Sequence, residues 1–284
     1  MEYKEVDLSQ WVQTGEGGNG KTYTNAQEPD KLLKLNNPPL CSIDFVQHEY
    51  ETSKAVESLG IPVPQTFGIV RIGDAYATIS QRIANKRSLS RICGDEPART
   101  AEMAELFCSL AKEMFATECN TSIFPGRKER TLASIDKVRF VRSKDLDIIR
   151  RFAESIDDDT HCVHGDFHPG NVIQADSNNY WIDLDRFGYG NPMYDISHLY
   201  QICNLYSSTR QLQNLFHMSE GLLRRFWDAF ATAYTGSSSH RDFDAEAGRF
   251  TVLDIIYRLG LYPSKTVVKL YYAYWIRRMM KLYF

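Results

Sequence analysis

At 284 residues the chain is long enough for one large domain or two lobes with a sizeable core. Its 43% hydrophobic and 24% charged residues exclude a disordered or membrane-embedded chain, and a net charge of −3 gives no electrostatic reason to expect nucleic acid as a partner. The acidic start MEYKEVDLSQ has no apolar core for a secretory signal, and the C-terminal LYYAYWIRRMMKLYF is broken by charges and too short to span a bilayer. The six cysteines contain no C-x-x-C pair, which argues against a disulfide framework or a metal cluster and fits a cytoplasmic protein without a membrane partner.

The first feature along the chain is GEGGNGKT at residues 15–22, which satisfies two phosphate-binding templates. As G-x-x-x-x-G-K-[ST] it is a P-loop whose working residues are Lys21 and Thr22. As G-x-G-x-x-G it is a glycine-rich lid between two strands. A P-loop needs a buried strand before it and a helix starting at the lysine. The preceding VDLSQWVQT is only half apolar, and the following YTNAQEPDK has little helical periodicity. The context favours the lid.

KLLKLNNPP then reads as a short strand stopped by Pro38 and Pro39. Alternation puts Leu32 and Lys34 on one face and Leu33 and Leu35 on the other, so that one face can look at a nucleotide while the other packs against the next helix. That helix is expected over Ser42–Leu59, capped by Ser42 or Asp44 and closed by Gly60. Phe45, Glu49, Thr52, Val56 and Leu59 share a face, apolar at both ends, which turns Glu49 inward. A carboxylate there needs a partner, and Lys34 is the natural one. QTFGIVRIGDAYATISQRI follows as two strands joined at Gly73-Asp74.

From about residue 84 the pattern becomes helical, with amphipathic segments at PARTAEMAELFCSLAKEMFAT and near 143–155, 219–235 and 243–259. The expected architecture is α+β and two-lobed: a β-rich lobe over 1–84 and a helical lobe over 85–284. No internal repeat interrupts this plan.

The densest constellation is HCVHGDFHPGNVIQ at 161–174 followed by YWIDLDRFGYGNPMYDIS at 180–197. Phosphoryl transfer to a hydroxyl needs one carboxylate to receive the acceptor's proton, and an amide and a further carboxylate to hold Mg²⁺ on the phosphates. Asp166 and Asn171 lie five apart across a Pro-Gly turn, and Asp183 follows at the end of the apolar run YWID.

HGDFHPGN with IDLDRFGYGNPMYD resembles the aminoglycoside phosphotransferase and choline kinase family, a branch of the protein-kinase-like fold. LGIPVPQTFG is similar to the family's linker after its helix. The resemblance runs from the glycine loop to about Ser197. It implies Asp166 as catalytic base, Asn171 and Asp183 as Mg²⁺ ligands, and Lys34 on the ATP phosphates with Glu49 as its tether. It further implies that Gly15, Gly17, Gly18 and Gly20 cradle phosphate beside the face that carries Leu32, and that Gln81, Arg82 and Ile83 form the hinge whose backbone meets adenine. Asp195 and His164 are expected to brace the loop, and His168 likewise.

H-G-D in place of H-R-D, DLD in place of D-F-G and the lack of A-P-E disfavour a protein kinase. The expected activity is therefore an ATP- and Mg²⁺-dependent kinase acting on a small hydroxylated acceptor, aminoglycoside-, sugar- or amino-alcohol-like. The alternative is a non-catalytic nucleotide-binding module on the same fold. Asp185 reads as a residue that supports a metal ligand or as a surface carboxylate at the strand end. The acidic runs DDD at 157–159 and DFDAE at 242–246 are local candidates for a cationic acceptor, although both suit solvated loops or caps.

Overall fold

A computed structural model describes residues 3–16, 20–261 and 266–284. Two of the four loop glycines, Gly17 and Gly18, lie outside the described residues. The chain divides into two compact units: residues 1–87 with 173–185, and residues 88–172 with 186–284.

The first unit is built on strands β1 (Lys4–Glu5), β2 (Val12–Glu16), β3 (Gly20–Asn25) and β4 (Glu28–Asn36), helix α1 (Ile43–Ser58), and strands β5 (Thr66–Ile72) and β6 (Ala75–Gln81). They form one sheet in the order β1-β5-β6-β4-β3-β2, in which only the short β1 pairs in parallel. The β5–β6 turn is the two-residue Gly73-Asp74 connection, with Ile72 opposite Ala75. Leu33 sits at 0% exposure among Trp11, Val70, Ala77 and Ile79, with Leu35 packed beside them. Helix α1 contributes nothing to that cluster.

The helix instead lies on the opposite face, because Lys34 reaches Glu49 from there. This corrects the expectation that the face opposite Lys34 would take the helix; the ion pair requires both on one side. The buried stripe of α1 is also rotated. Val46, Thr52 and Val56 are buried, whereas Phe45 is 49% exposed. Val46, Glu49 and Val56 still follow helical spacing, so the inward turn of Glu49 survives the rotation. Gly60 closes the helix with a left-handed φ of 78°.

The glycine loop runs from strand to strand. Residues 20–25 are β3, with Lys21 opposite Leu35 and Thr22 opposite Lys34. No helix begins at Lys21, so the P-loop template is excluded. A Cβ on Gly20 would stand 2.4 Å from the Leu35 carbonyl oxygen, so close pairing of β3 with β4 by itself requires glycine there.

The chain continues with β7 (Arg87–Ser88), α2 (Leu89–Asp95), α3 (Thr100–Phe115), α4 (Arg127–Ile135), α5 (Ser143–Glu154) and β8 (Cys162–Val163). β9 (Val172–Ala175) and β10 (Asn178–Trp181) form a hairpin, and Ile173 and Ala175 pack with Ile83 in the first unit. β11 (Gly188–Tyr189) pairs antiparallel with β8, and then come α6 (Met193–Tyr200), α7 (Arg210–Phe216), α8 (Glu220–Thr235), α9 (Arg241–Leu261) and α10 (Thr266–Tyr283). The four helices expected between residue 97 and residue 259 are thus α3, α5, α8 and α9. The core of the second unit is aromatic. Phe107 of α3 packs against Phe167, Phe226 and Phe230 with ring centroids 4.6, 5.8 and 5.9 Å away. No helix among the described residues is long and apolar enough to cross a membrane.

Leu33→Ala should cost about 2–5 kcal/mol, the range for emptying a closed core site. Urea unfolding followed by circular dichroism measures this, and a cost near zero would show that the Trp11–Ile79 cluster collapses freely onto the gap.

Candidate functional site

In the first unit the sheet face bearing Leu32 and Lys34 opens on a cavity of about 240 Å³. The β4–β6 register places Leu32 opposite Ser80 and Lys34 opposite Thr78, so period-two alternation delivers all four side chains to the same wall. Lys34 Nζ lies 2.6 Å from Glu49 Oε1 and 3.8 Å from Asp183 Oδ1. Asn36 Nδ2 holds the other Glu49 oxygen at 3.0 Å. Burial alone would lower the Lys34 ammonium, but the charges of Glu49, Asp183 and Asp185 outweigh it and hold the group above its ordinary value. The lysine is therefore charged and fixed.

Gln81, Ile83 and Asp183 also line this cavity. Arg82 does not: its amide donates to the Asp30 carbonyl at 2.7 Å and its guanidinium to the Pro29 carbonyl at 3.1 Å. The Arg82 amide is thereby committed to β4. Gly15 and Gly20 are described but are not in the lining either. Sequence reasoning missed Thr78, Ser80 and Lys86 and gave Thr22 a role only in the P-loop template, although all four line the wall. Burial pushes the Lys86 ammonium down, against the pull of Asp183. Asp183 has a left-handed backbone, φ 59°, which is uncommon outside glycine and marks a position held by its surroundings.

The second unit holds the HGDFHPGN loop. Phe167 anchors it in the aromatic core. The buried Asp195 at the start of α6 accepts from the His164 amide at 2.6 Å and the Gly165 amide at 2.9 Å. Burial raises the Asp195 carboxyl, and those two amides oppose the rise. Gly165 has φ 81°, and a Cβ there would stand 2.2 Å from the Arg186 carbonyl oxygen, so only glycine fits. Asn171 is 4% exposed and donates from Nδ2 to the Asp166 carbonyl at 2.9 Å. The amide nitrogen is thereby committed, which fixes which end of the side chain is oxygen.

The Asp166 carboxylate is surrounded by two guanidiniums and two imidazoles, of which sequence reasoning gave a role only to His168, as a brace. Its Oδ1 meets Arg186 Nη1 at 3.0 Å, Arg258 Nη2 at 3.1 Å and His198 Nε2 at 3.3 Å, while His168 Nε2 lies 3.8 Å from Oδ2. Burial alone would raise Asp166, but the His198 contact and the charges of His168 and Arg258 hold it well below the usual carboxylate range. Burial pushes His168 down to about 3. Arg258 Nε in turn reaches Asp254 Oδ2 at 2.9 Å, and the fully buried Asp254 is closed off by Arg127 at 2.6 Å and Gln201 at 2.9 Å. A signal for this chain was present in the sequence. Asp254 and Arg258 stand four apart inside the apolar run VLDIIYRLG, where charges at helical spacing need partners.

The other expectations for this half are simply placed. Tyr194 and Trp227 are buried and Tyr200, Tyr206 and Tyr234 half-buried, as core aromatics. Asp158 pairs with Lys128, Asp159 with His161, and Asp244 accepts from Trp227 Nε1. One or two carboxylates of each acidic run thus have a local partner. Among the described residues no group of three or more His, Cys, Asp or Glu side chains converges as a ready-made metal site.

Solved structures share this fold over nearly the whole chain. An ADP-bound aminoglycoside phosphotransferase APH(2'')-Ib superposes with a TM-score of 0.59 at 15% identity, covering 96% of this chain and 94% of that one. A choline/ethanolamine kinase family protein from Mesorhizobium loti gives 0.56 at 13% identity over 96% and 87%. The amicoumacin kinase hAmiN, in complex with AMP-PNP, Ca²⁺ and Ami, gives 0.62 at 14% identity over 98% and 90%. No curated protein matches the chain in sequence. The class that fold defines is the two-lobed, protein-kinase-like α+β class. Residues 16–239 match the phosphotransferase enzyme family, APH, and the chain belongs to it.

Asp254→Ala should destabilise the protein by about 3–5 kcal/mol, because it leaves Arg127 and Arg258 as buried charges without their shared partner. The wild-type carboxyl is held below its unfolded value, so this contribution is fully present above the ordinary Asp pKa and is lost as pH falls through and below it. Thermal melts of wild type and variant between pH 7 and pH 3 measure both effects. A gap between the two that stays constant over that range would contradict the assignment.

Proposed function

We propose that the protein transfers the γ-phosphate of ATP, with Mg²⁺, to a hydroxyl group of a small molecule of the aminoglycoside-, sugar- or amino-alcohol-like kind. The observation that carries this reading is the Lys34–Glu49 ion pair of 2.6 Å on the cavity wall, with Asp183 3.8 Å from the same ammonium. A charged lysine pinned by a helix carboxylate is what a polyphosphate needs, and family membership supports the same chemistry.

In this reading residues 1–84 form the nucleotide-binding lobe and residues 85–284 carry the catalytic loop and acceptor site. Lys34 meets the phosphates, and Glu49 holds it there. Leu32, Gln81 and Ile83 face the nucleotide, and the backbone of the loop from Gly15 through Gly17 and Gly18 to Gly20 covers the phosphates. Arg82 supports the hinge from outside through its bonds to Pro29 and Asp30.

Asn171 and Asp183 are each assigned an oxygen for Mg²⁺. The donor set fits a hard cation: Asn171 has its nitrogen committed, and the Asp183 carboxylate is 56% exposed beside Lys34. When bound, Mg²⁺ neutralises charge on the phosphates. Asp166 accepts the proton of the acceptor hydroxyl as its oxygen bonds to the γ-phosphorus and the bond from that phosphorus to the bridging oxygen of ADP breaks. Asp195 and His164 hold the loop and take no part in the transfer. Asp185 adds negative charge near Lys34 and has no direct role.

A mass-spectrometric screen of hydroxylated metabolites and antibiotics with ATP and Mg²⁺, scored for an added phosphate, tests the activity. ATP binding without transfer to any of them would instead favour the non-catalytic nucleotide-binding module. Asp166→Asn should keep ATP binding and lower turnover by roughly 10²–10⁴, the usual contribution of a positioned acid–base group. Near-normal turnover in single-turnover assays of that variant would remove the role.

The two lysines separate the lid from a P-loop in solution. Lys21 is 40% exposed with Glu16 at 3.9 Å, so Lys21→Ala should cost at most about 1 kcal/mol in ATP affinity. Lys34→Ala should remove most activity, since it also strands Glu49 beside the triphosphate. Parallel ATP titrations and turnover assays decide this, and a dead Lys21→Ala beside an active Lys34→Ala would reverse the assignment.

A further inference from the structure

Two lysines line the cavity of the first unit, and only one of them is tied to a carboxylate. Lys34 has Glu49 at 2.6 Å. Lys86 forms no hydrogen bond or ion pair among the described residues. The residue as a whole is exposed, yet burial on the cavity side lowers its ammonium, and the charge of Asp183 opposes that fall. A lysine that simply reached solvent would feel neither effect.

The two lysines enter the cavity from different levels. Gln81 stands opposite Lys31 on β4, and Lys34 stands opposite Thr78, three residues further along. About 10 Å of strand therefore separates the level of Gln81 from that of Lys34. Lys86 comes from the Gln81 end. It follows Ile83 by the turn Ala84-Asn85, in which Asn85 is left-handed at φ 52°, a conformation that asparagine tolerates better than most residues. Asp183 is thus approached from the strand wall by Lys34, at 3.8 Å, and from the hinge end by Lys86, whose ammonium feels its charge.

We infer that Lys86 reads the phosphate group next to the ribose, so that two separate cations hold the nucleotide, Lys86 at the first phosphate and Lys34 further along. The inference deepens the kinase proposal and rests on its placing of the nucleotide. With the base at Gln81 and Ile83 and the outer phosphates at Lys34, the first phosphate is the anion nearest the hinge end. Asp183 is assigned to Mg²⁺, so it cannot also serve as the permanent partner of Lys86. A partly desolvated ammonium without a partner is costly, and a ligand phosphate supplies one without competing for that carboxylate. Lysine suits the task, because its flexible stem carries a compact charge with three donors that can follow a phosphate oxygen. The first phosphate takes no part in the bond exchange at the third. The contact is therefore equal before and during transfer and acts on affinity, not on rate.

The test is a calorimetric titration of the full chain with adenosine, AMP, ADP and ATP in the presence of Mg²⁺, by displacement where binding is weak. In Lys86→Gln the affinities for AMP, ADP and ATP should each fall about tenfold, the lower part of the range for a hydrogen bond to a charged group, and Lys86→Arg should recover part of the loss. Adenosine should bind both proteins equally, which also shows that the variant's cavity is intact. The deficit should shrink as salt is raised, since an exposed charge is screened. In turnover assays KM for ATP should rise with kcat little changed. Equal affinities in wild type and variant, a loss that spares AMP, or an equal loss for adenosine overturns the inference and leaves the kinase reading intact. If the wild type binds neither these ligands nor their guanine counterparts, the kinase reading fails, and the inference is rejected with it.

Discussion

A chain of opposite charges through the second unit fixes the residue on which the proposed chemistry turns. Arg127 on α4 holds Asp254 on α9, Asp254 holds Arg258 one turn further along the same helix, and Arg258 holds Asp166 in the loop. None of these groups can be removed singly without leaving a charge in a low-dielectric interior. Such a chain adds little net stability over a well-packed apolar core, but it has few alternative arrangements. Its value is geometric. Two helices distant in sequence set the position of one carboxylate.

Backbone constraints complete that placement. Asp195 ties the amides of His164 and Gly165, Gly165 occupies a conformation that a side chain would block, and Phe167 buries its ring among Phe107, Phe115 and Phe230. The loop is thus fixed on both sides of Asp166, by hydrogen bonds before it and by packing after it. A rigid loop suits a group that must be in place before a substrate arrives, because orientation then costs nothing at the moment of reaction.

The first unit reaches a comparable result with a simpler device. Along β4 successive side chains alternate between an apolar cluster, which takes Leu33 and Leu35, and the cavity wall, which takes Leu32 and Lys34. A slip of one residue would exchange the two faces completely, so the core enforces the register that presents the lysine. Helix α1 meets the sheet on the lysine side, and the Glu49 carboxylate, needing a partner, fixes which part of the helix faces Lys34.

Much of this was legible in local sequence. Strand and helix periods, the Gly73-Asp74 turn, the Gly60 stop and the Lys34–Glu49 pairing follow from short-range rules, because each depends on spacing within one or two neighbouring elements. The glycine loop was separable from a P-loop on its flanks alone, since YTNAQEPDK cannot start a helix readily and instead ends β3, turns and begins β4. Tertiary structure alone decided which side of the sheet α1 covers, that Val46 and not Phe45 is buried, and that Arg82 turns away from the cavity. It also decided that Arg186, Arg258 and His198 converge on Asp166. The spacing of Asp254 and Arg258 within one apolar helix shows that both need partners, but not which ones. That choice depends on contacts spanning up to 127 residues of chain, Arg127 with Asp254 being the longest, and no local period encodes a distance of that kind.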